Sequence, residues 1–392
     1  MSYYEESSGY LKNCFKFYKN LTYDSNHLLR IDESARSIAE ACWDVKPSGT
    51  VSALPEGLFL LRNVLSDYTL AELLHQSLVD WTCHPSKVSN LDSIHMSNTN
   101  TPPDLWSYSS KQIALGKSWD RTPLGKLRWI TFGYHYQWSD RRYEESKYGE
   151  FPPLLAKIST QIVHLLQTEL SSTTLGSDVT QLVQACADFQ PEAAIVNYYR
   201  GKTNMGFHTD NVEFDKKAPL VSIRANTSGL RTPIRELLPA ALKRLGPSAL
   251  YLWEVSKPVT ASPSFLHPPI NGGDQPDGST VIPIVLRHGD VVIMLGKSRL
   301  AKHAVPIVLF DEACRDPVLR VAAQLASQRL CPNLCASVDS SNGSSSTCRV
   351  EPSYCSCAIC KAFVDYVLTT RINMNVRQVI PAGYSFSDFD KK

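Results

Sequence analysis

From Ala193 onward, short apolar runs follow one another with turn residues between them: AAIVNYY, PLVSI, SALYLWEV, TVIPIVL, DVVIML, HAVPIVLF and RINMNVRQVI. Runs of this length, rich in Val, Ile and Tyr and bounded by Gly, Pro, Asp and Ser, read as strands. Such a succession indicates an antiparallel β core, either a sandwich or a jelly-roll barrel. Ahead of Ala193 the pattern is mixed. LFLLRNVL after Gly57 reads as a buried strand, and YTLAELLHQSLVDW repeats apolar residues at helical spacing. FPPLLAKISTQIVHLLQTEL opens on prolines suited to a first helical turn and continues as a helix. LRWITFGYHYQW alternates like a strand and its exit loop. The expected class is therefore α+β.

Three parts follow: an accessory arm over 1–56, a helical and aromatic-loop part over 57–170, and the β-rich part over 171–385. Residues 84–126 are polar, carry Pro102, Pro103 and Pro123, and are expected to be loop. Two stretches interrupt the strands. A basic insert at about 224–244 separates VSI from SALYLWEV, and 311–347, ending in SSNGSSST, reads as a disordered surface excursion. With 43% hydrophobic and 20% charged residues the chain is neither disordered nor membranous in type, and a net charge of +2 means that any phosphate binding must come from a local basic patch. No window approaches the roughly 18 apolar residues of a bilayer span. The start, MSYYEESSGY, has neither a signal-peptide core nor the Arg-rich, acid-poor character of a presequence, so an intracellular site, nucleus or cytoplasm, is expected.

The segment NMGFHTDN places His208 and Asp210 two apart. On an extended strand such residues point to one side, so an imidazole nitrogen and a carboxylate oxygen can meet one ion. Two histidines and one carboxylate on one face leave three positions open, which suits an iron(II) ion that must bind both a co-substrate and O2. In RHGDVVIMLGKSRLAKHAVPIV the best third ligand is His303, entering a strand after a tight turn at Gly296. His288 sits in a turn, where a solvated histidine is the ordinary reading, and His267 in FLHPP is a weaker competitor.

A dicarboxylic co-substrate chelating iron through its 2-oxo acid end leaves a distal carboxylate in need of a buried cation. Arginine suits best, because its planar fork pairs with a carboxylate through two hydrogen bonds and stays charged when buried. The strand RINMNVR puts Arg371, Asn373, Asn375 and Arg377 on one face and Ile372, Met374 and Val376 on the other. Polar residues facing inward imply a ligand, whereas a solvated edge strand is the bland alternative.

Taken together, N-x-Y ahead of H-x-D, a distant histidine and R-x-N-x-x-x-R resemble the AlkB family of nucleic-acid dealkylases. The likeness extends through LRWITFGYHYQW, EAAIVNYYRGKTNMGFHTD and SRLAKHAVP. It implies a double-stranded β-helix (jelly-roll) core with flanking helices, so that 171–385 is an Fe(II)/2-oxoglutarate dioxygenase domain and 57–170 its substrate-recognition part. It implies that Asn197, Tyr199, Asn373 and Arg377 join Arg371 around 2-oxoglutarate. It further implies oxidative demethylation of N-methylated bases in tRNA or DNA, and it is compatible with a mitochondrial site. The insert at 224–244 departs from the family, whose strand after H-x-D runs on directly. Rival readings are a protein hydroxylase of the same fold and a catalytically inactive scaffold.

For the substrate, an extruded base needs flat side chains to lie against, and Tyr134, His135, Tyr136 and Trp138, with the LDSIHM region, are candidates. Plain packing is the competing reading, and for Trp129 the preferred one. Arg121, Lys126, Arg128, Arg141 and Arg142 supply the local positive charge that phosphate contacts want. Of the eleven cysteines, six crowd into Cys331–Cys360. Cys331, Cys335, Cys348, Cys355, Cys357 and Cys360 form either a zinc site, with C-x-x-C at 357 to 360 as one half, or a loop of reduced thiols.

Overall fold

The computed structural model describes residues 9–20, 25–42, 51–62, 64–94, 104–172, 177–225, 248–256, 280–309, 317–331 and 357–389. Twelve strands among them form two antiparallel sheets. They are β1 (Val51–Leu54), β2 (Leu58–Leu61), β3 (Val88–Ser89), β4 (Trp129–Gly133), β5 (Ala193–Arg200), β6 (Met205–His208), β7 (Leu220–Ala225), β8 (Ser248–Val255), β9 (Thr280–Leu286), β10 (Val291–Met294), β11 (His303–Leu309) and β12 (Thr370–Arg377). The larger sheet has the order β1-β2-β10-β7-β12-β5-β4-β3, and the smaller the order β6-β11-β8-β9. Every apolar run read from the sequence as a strand after Ala193 contributes one.

The helices of ten or more residues are α1 (Gly9–Asn20), α2 (Ser25–Cys42), α3 (Asp67–Leu78), α4 (Leu105–Ala114), α5 (Pro153–Ser171), α6 (Ser177–Ala187), α7 (Pro317–Leu330) and α8 (Ala358–Thr369). They and the sheets stack in layers, because each sheet buries both faces. Between the sheets lie Leu58, Leu60, Leu220 and Met294 of the larger, packed on Tyr251, Trp253, Ile284 and Val305 of the smaller. The other face of the larger sheet sends Ile372, Met374, Val376, Ile223 and Val196 against α3, α5, α7 and α8. Tyr10, Leu11, Cys14 and Tyr18 of α1 cover Leu250, Leu252 and Val285 on the smaller sheet's outer face. Residues 9–20 of the expected arm are thus a packing layer. The strict alternation along β12 decides which layer each side chain enters.

Three expectations need correction. Residues 84–126 are not simply loop: Asp104 accepts a hydrogen bond from the backbone N–H of Ser107 at 2.8 Å and starts α4, which buries Leu105 and Trp106. Within 311–347, α7 packs on α3, with Ala322, Leu325 and Ala326 in the shared core, and Arg329 pairs with Glu72 at 2.8 Å. Its buried residues are mostly alanine, which carries little periodic hydrophobic signal. The insert expected from residue 224 starts later, since Arg224 and Ala225 belong to β7; residues 226–247 lie outside the described residues, as does 332–356. β7 and β8 fall in different sheets, so the added length sits where the chain already leaves one sheet for the other.

Candidate active site

Strand register brings the proposed ligands together. β6 and β11 pair antiparallel with His208 directly opposite His303, and opposed residues share a face. Asp210 follows two residues beyond His208. One donor atom from each of the three lies within 4.8 Å of the others. Nε2 of His303 is 3.6 Å from Oδ2 of Asp210, and the two imidazole centroids are 4.3 Å apart. The far nitrogens fix the rings: Nδ1–H of His208 donates to the Gly206 carbonyl at 2.9 Å, and Nδ1–H of His303 donates to the Ala301 carbonyl at 3.2 Å. A carbonyl only accepts, so both rings present an Nε2 lone pair to the cluster, the arrangement that metal-binding histidines use. Burial, helped by His208, pushes the His303 imidazole down to about 3. It is neutral at physiological pH.

Asp210 is held by an ion cluster of its own. Arg377 donates to its Oδ1 at 2.7 Å and to Glu213 Oε1 at 3.0 Å. Arg299 donates to Glu213 Oε2 at 2.8 Å, to the Ala218 carbonyl at 3.2 Å and to the backbone carbonyl of Asp210. Tyr143 completes it with a hydrogen bond to Glu213 at 3.1 Å. Burial alone would raise the Asp210 carboxyl, yet Arg377, with His303, His208 and Arg299, overrides it and holds the group below the usual carboxylate range. The ligand carboxylate is therefore ionised and aimed.

Beside the triad opens a cavity of about 420 Å³, counting space continuous with solvent. Pairing of β12 with β5 sets Arg371 opposite Tyr199 and Asn373 opposite Asn197; pairing with β7 sets Asn373 opposite Arg224 and Asn375 opposite Ser222. All seven line the cavity together with His208, Asp210 and His303. Arg371 is fully buried, and its guanidinium lies 4.8 Å from the Tyr199 ring centroid. Its Nε and Nη1 have no hydrogen-bond partner among the described residues, and the same holds for Nε and Nη1 of the buried Arg224. Two buried arginines that line one cavity and together leave four donors unpaired among the described residues call for an anion. Two neutral imidazoles and a carboxylate fit iron(II), and the two guanidiniums fit a dicarboxylate, so the residues present suit both groups.

The structure separates the predicted site residues. His208, Asp210, His303, Asn197, Tyr199, Arg371 and Asn373 converge on the cavity. Arg377 does not line it; its Nη1 and Nη2 donate to Asp210, Glu213 and Tyr143, while its Nε meets no partner among the described residues, so its contacts orient the carboxylate instead of the co-substrate. Tyr134 packs on Tyr148 and Phe386, with ring centroids 4.7 and 4.9 Å away, and His135 is buried against Thr131, which favours packing for both. Tyr136 and Trp138 contact each other at 4.7 Å, and Trp138 is exposed. His288 is buried, not solvated, and is absent from the cavity lining; His267 lies outside the described residues. Arg224 is hidden in the sequence because its strand end merges with a basic stretch. Only the β7–β12 register reveals its partner Asn373.

Two histidines on facing strands, with a carboxylate two residues past one of them, make up a candidate mononuclear iron site in an antiparallel core. The chain belongs to the 2OG-Fe(II) oxygenase superfamily, whose family model matches residues 57–377, and that family's cofactors are iron(II), 2-oxoglutarate and O2. It is 30% identical over 302 residues to the nucleic acid dioxygenase ALKBH1 of Homo sapiens, covering 76% of this chain and 58% of that protein. It is 26% identical over 283 residues to the tRNA demethylase abh1 of Schizosaccharomyces pombe, covering 69% and 74%. The solved structure of OsALKBH1 aligns over 84% of this chain and 99% of that one, with 16% identity and a TM-score of 0.42. The chain thus spans 58% of the human relative's length. The nucleic acid dioxygenase and tRNA demethylase relatives bear out the AlkB resemblance.

Proposed function

We propose that this chain is a 2-oxoglutarate-dependent demethylase of N-methylated bases in tRNA or DNA, built on a double-stranded β-helix core. The observation that carries the chemistry is the convergence of three ligand atoms beside a cavity whose guanidinium donors lack an anion. His208, Asp210 and His303 would hold the iron. Arg371 would receive the distal carboxylate of 2-oxoglutarate, with Asn197, Tyr199 and Asn373 around it and Arg224 as a second positive group. When bound, iron(II) supplies the oxygen activation that converts 2-oxoglutarate to succinate and CO2 and hydroxylates an N-methyl carbon, later lost as formaldehyde. The protein's part is placement: ring orientation from the Gly206 and Ala301 carbonyls, and carboxylate orientation from Arg377.

The substrate side of this reading rests on the relatives' names, nucleic acid dioxygenase and tRNA demethylase, and on the surface beside the ion cluster. Tyr136 packs within 5.6 Å of Tyr143 and next to the exposed Trp138, giving flat faces for a base. Arg141 and Arg142 follow on the same loop and are exposed, as phosphate contacts require. The test is to supply iron(II), 2-oxoglutarate and oligonucleotides carrying N-methylated bases, as tRNA stem-loops or as DNA, and to assay succinate and formaldehyde. Formaldehyde that depends on nucleic acid and vanishes in Asp210→Ala is expected. Succinate without it would favour a protein hydroxylase, and no succinate at all an inactive scaffold.

A further inference from the structure

We propose that Cys331, Cys357 and Cys360 form a structural zinc site, separate from the iron site, that clamps α7 to α8. The three residues lie far apart in sequence yet meet in space. Cys331 follows the last turn of α7, Cys357 is the N-cap of α8, and Cys360 lies in its first turn. Their sulfurs all fall within 4.8 Å of one another. Sγ of Cys331 is 3.0 Å from Sγ of Cys357 and 3.7 Å from Sγ of Cys360. A bonded sulfur pair would stand at about 2.05 Å, so these are thiols in contact. Zinc–sulfur bonds of about 2.3 Å in a tetrahedron space the sulfurs about 3.8 Å apart, so the cluster closes on zinc with only small shifts.

Two further features select a soft divalent cation over a chance meeting of thiols. Cys331 and Cys360 are buried, and Cys357 and Cys360 share the N-terminus of a twelve-residue helix, where the backbone N–H of Cys360 already points at Sγ of Cys357 at 3.4 Å. Burial raises the Cys360 thiol above its ordinary value, whereas a bound divalent cation would stabilise its thiolate. Binding would release the three thiol protons and leave one tetrahedral position for water or a fourth donor. Hard cations such as magnesium would not take sulfur ligands. The clamp also has somewhere to act, since α7 packs on α3 and α8 runs without a break into β12, which carries Arg371.

The test is zinc content of the full chain, purified without chelator and measured by plasma mass spectrometry, in wild type, Asp210→Ala and Cys357→Ser/Cys360→Ser. One zinc per chain is expected in the first two and none in the third. A mercurial thiol reagent should release the zinc from wild type, and cobalt added to the stripped protein should give sulfur-to-cobalt charge-transfer absorption. Should the double variant fail to fold, the cobalt spectrum of wild type with and without prior alkylation of the thiols decides. Wild type without zinc or a cobalt–sulfur band, or a double variant that keeps its zinc, would overturn the proposal. So would a Cys331–Cys357 disulfide in peptide maps of freshly purified protein.

Discussion

Two groups of buried arginines flank Asp210, and they are opposites. Arg371 and Arg224 face the cavity with donors that meet no acceptor among the described residues. Arg377 and Arg299, outside the cavity lining, bind Asp210, Glu213 and the Ala218 carbonyl. Charges balance in the second group, two guanidiniums against two carboxylates, and remain unbalanced in the first. A balanced buried cluster is scaffold, because its ions compensate one another's desolvation. An unbalanced one stores a cost that only a ligand relieves, which is the usual trade of stability for function.

The sharpest way to break this contrast is Arg371→Met. Losing one partner of a buried charge pair costs about 2–5 kcal/mol, so the 2-oxoglutarate KM should rise by about 30-fold or more while the thermal midpoint of the unliganded protein holds or increases. A fallen midpoint with unchanged KM would place Arg371 among the scaffold residues. Arg377→Met should do the reverse. Removing a partner that orients a metal ligand weakens metal affinity by about 10–100-fold, and stripping Asp210 and Glu213 of their counter-ion lowers the melting temperature. With saturating iron, its 2-oxoglutarate KM should move far less than that of Arg371→Met. Steady-state kinetics and calorimetry on the pair settle both signs.

Arg224→Ser should have a smaller effect, raising the 2-oxoglutarate KM about tenfold, equivalent to about 1.4 kcal/mol, without loss of stability. Equal KM in variant and wild type would remove Arg224 from the co-substrate site. Smallest in reach is acid stability. Burial opposes ionisation of Glu213, but Arg377 and Arg299 keep its carboxyl below the usual value. A depressed carboxyl stabilises the fold above the unfolded value of about 4.3 and loses that contribution as pH falls toward the folded value. The melting temperatures of wild type and Glu213→Gln should therefore differ most above about pH 5 and converge in acid. A gap that stays constant with pH would deny Glu213 its ionised role.

How much was legible in the sequence follows from how local each signal is. His208 and Asp210 sit two apart on one strand, and Arg371, Asn373 and Asn375 alternate along another, so period two alone places them. The strand runs after Ala193 were legible for the same reason. Arg224 and the true partner of Arg377 were not, because each depends on a register or a contact between segments more than a hundred residues apart, Arg224 with Asn373 and Arg377 with Asp210. α7 was hidden by an alanine-rich face, and α4 by prolines that precede its cap. Cys331 met Cys357 and Cys360 only once both helices were in place.

Selectivity for the distal carboxylate tests the central contrast most directly. Anaerobic calorimetric titration of the iron(II)-loaded protein with 2-oxoglutarate and with 2-oxobutyrate, which has the same 2-oxo acid but no second carboxylate, isolates the contribution of the cavity guanidiniums. Wild type should prefer 2-oxoglutarate by about 30-fold or more, the equivalent of about 2 kcal/mol, and Arg371→Met should lose most of that preference. Equal affinity for the two acids in wild type, or a preference that survives in Arg371→Met, would contradict the assignment.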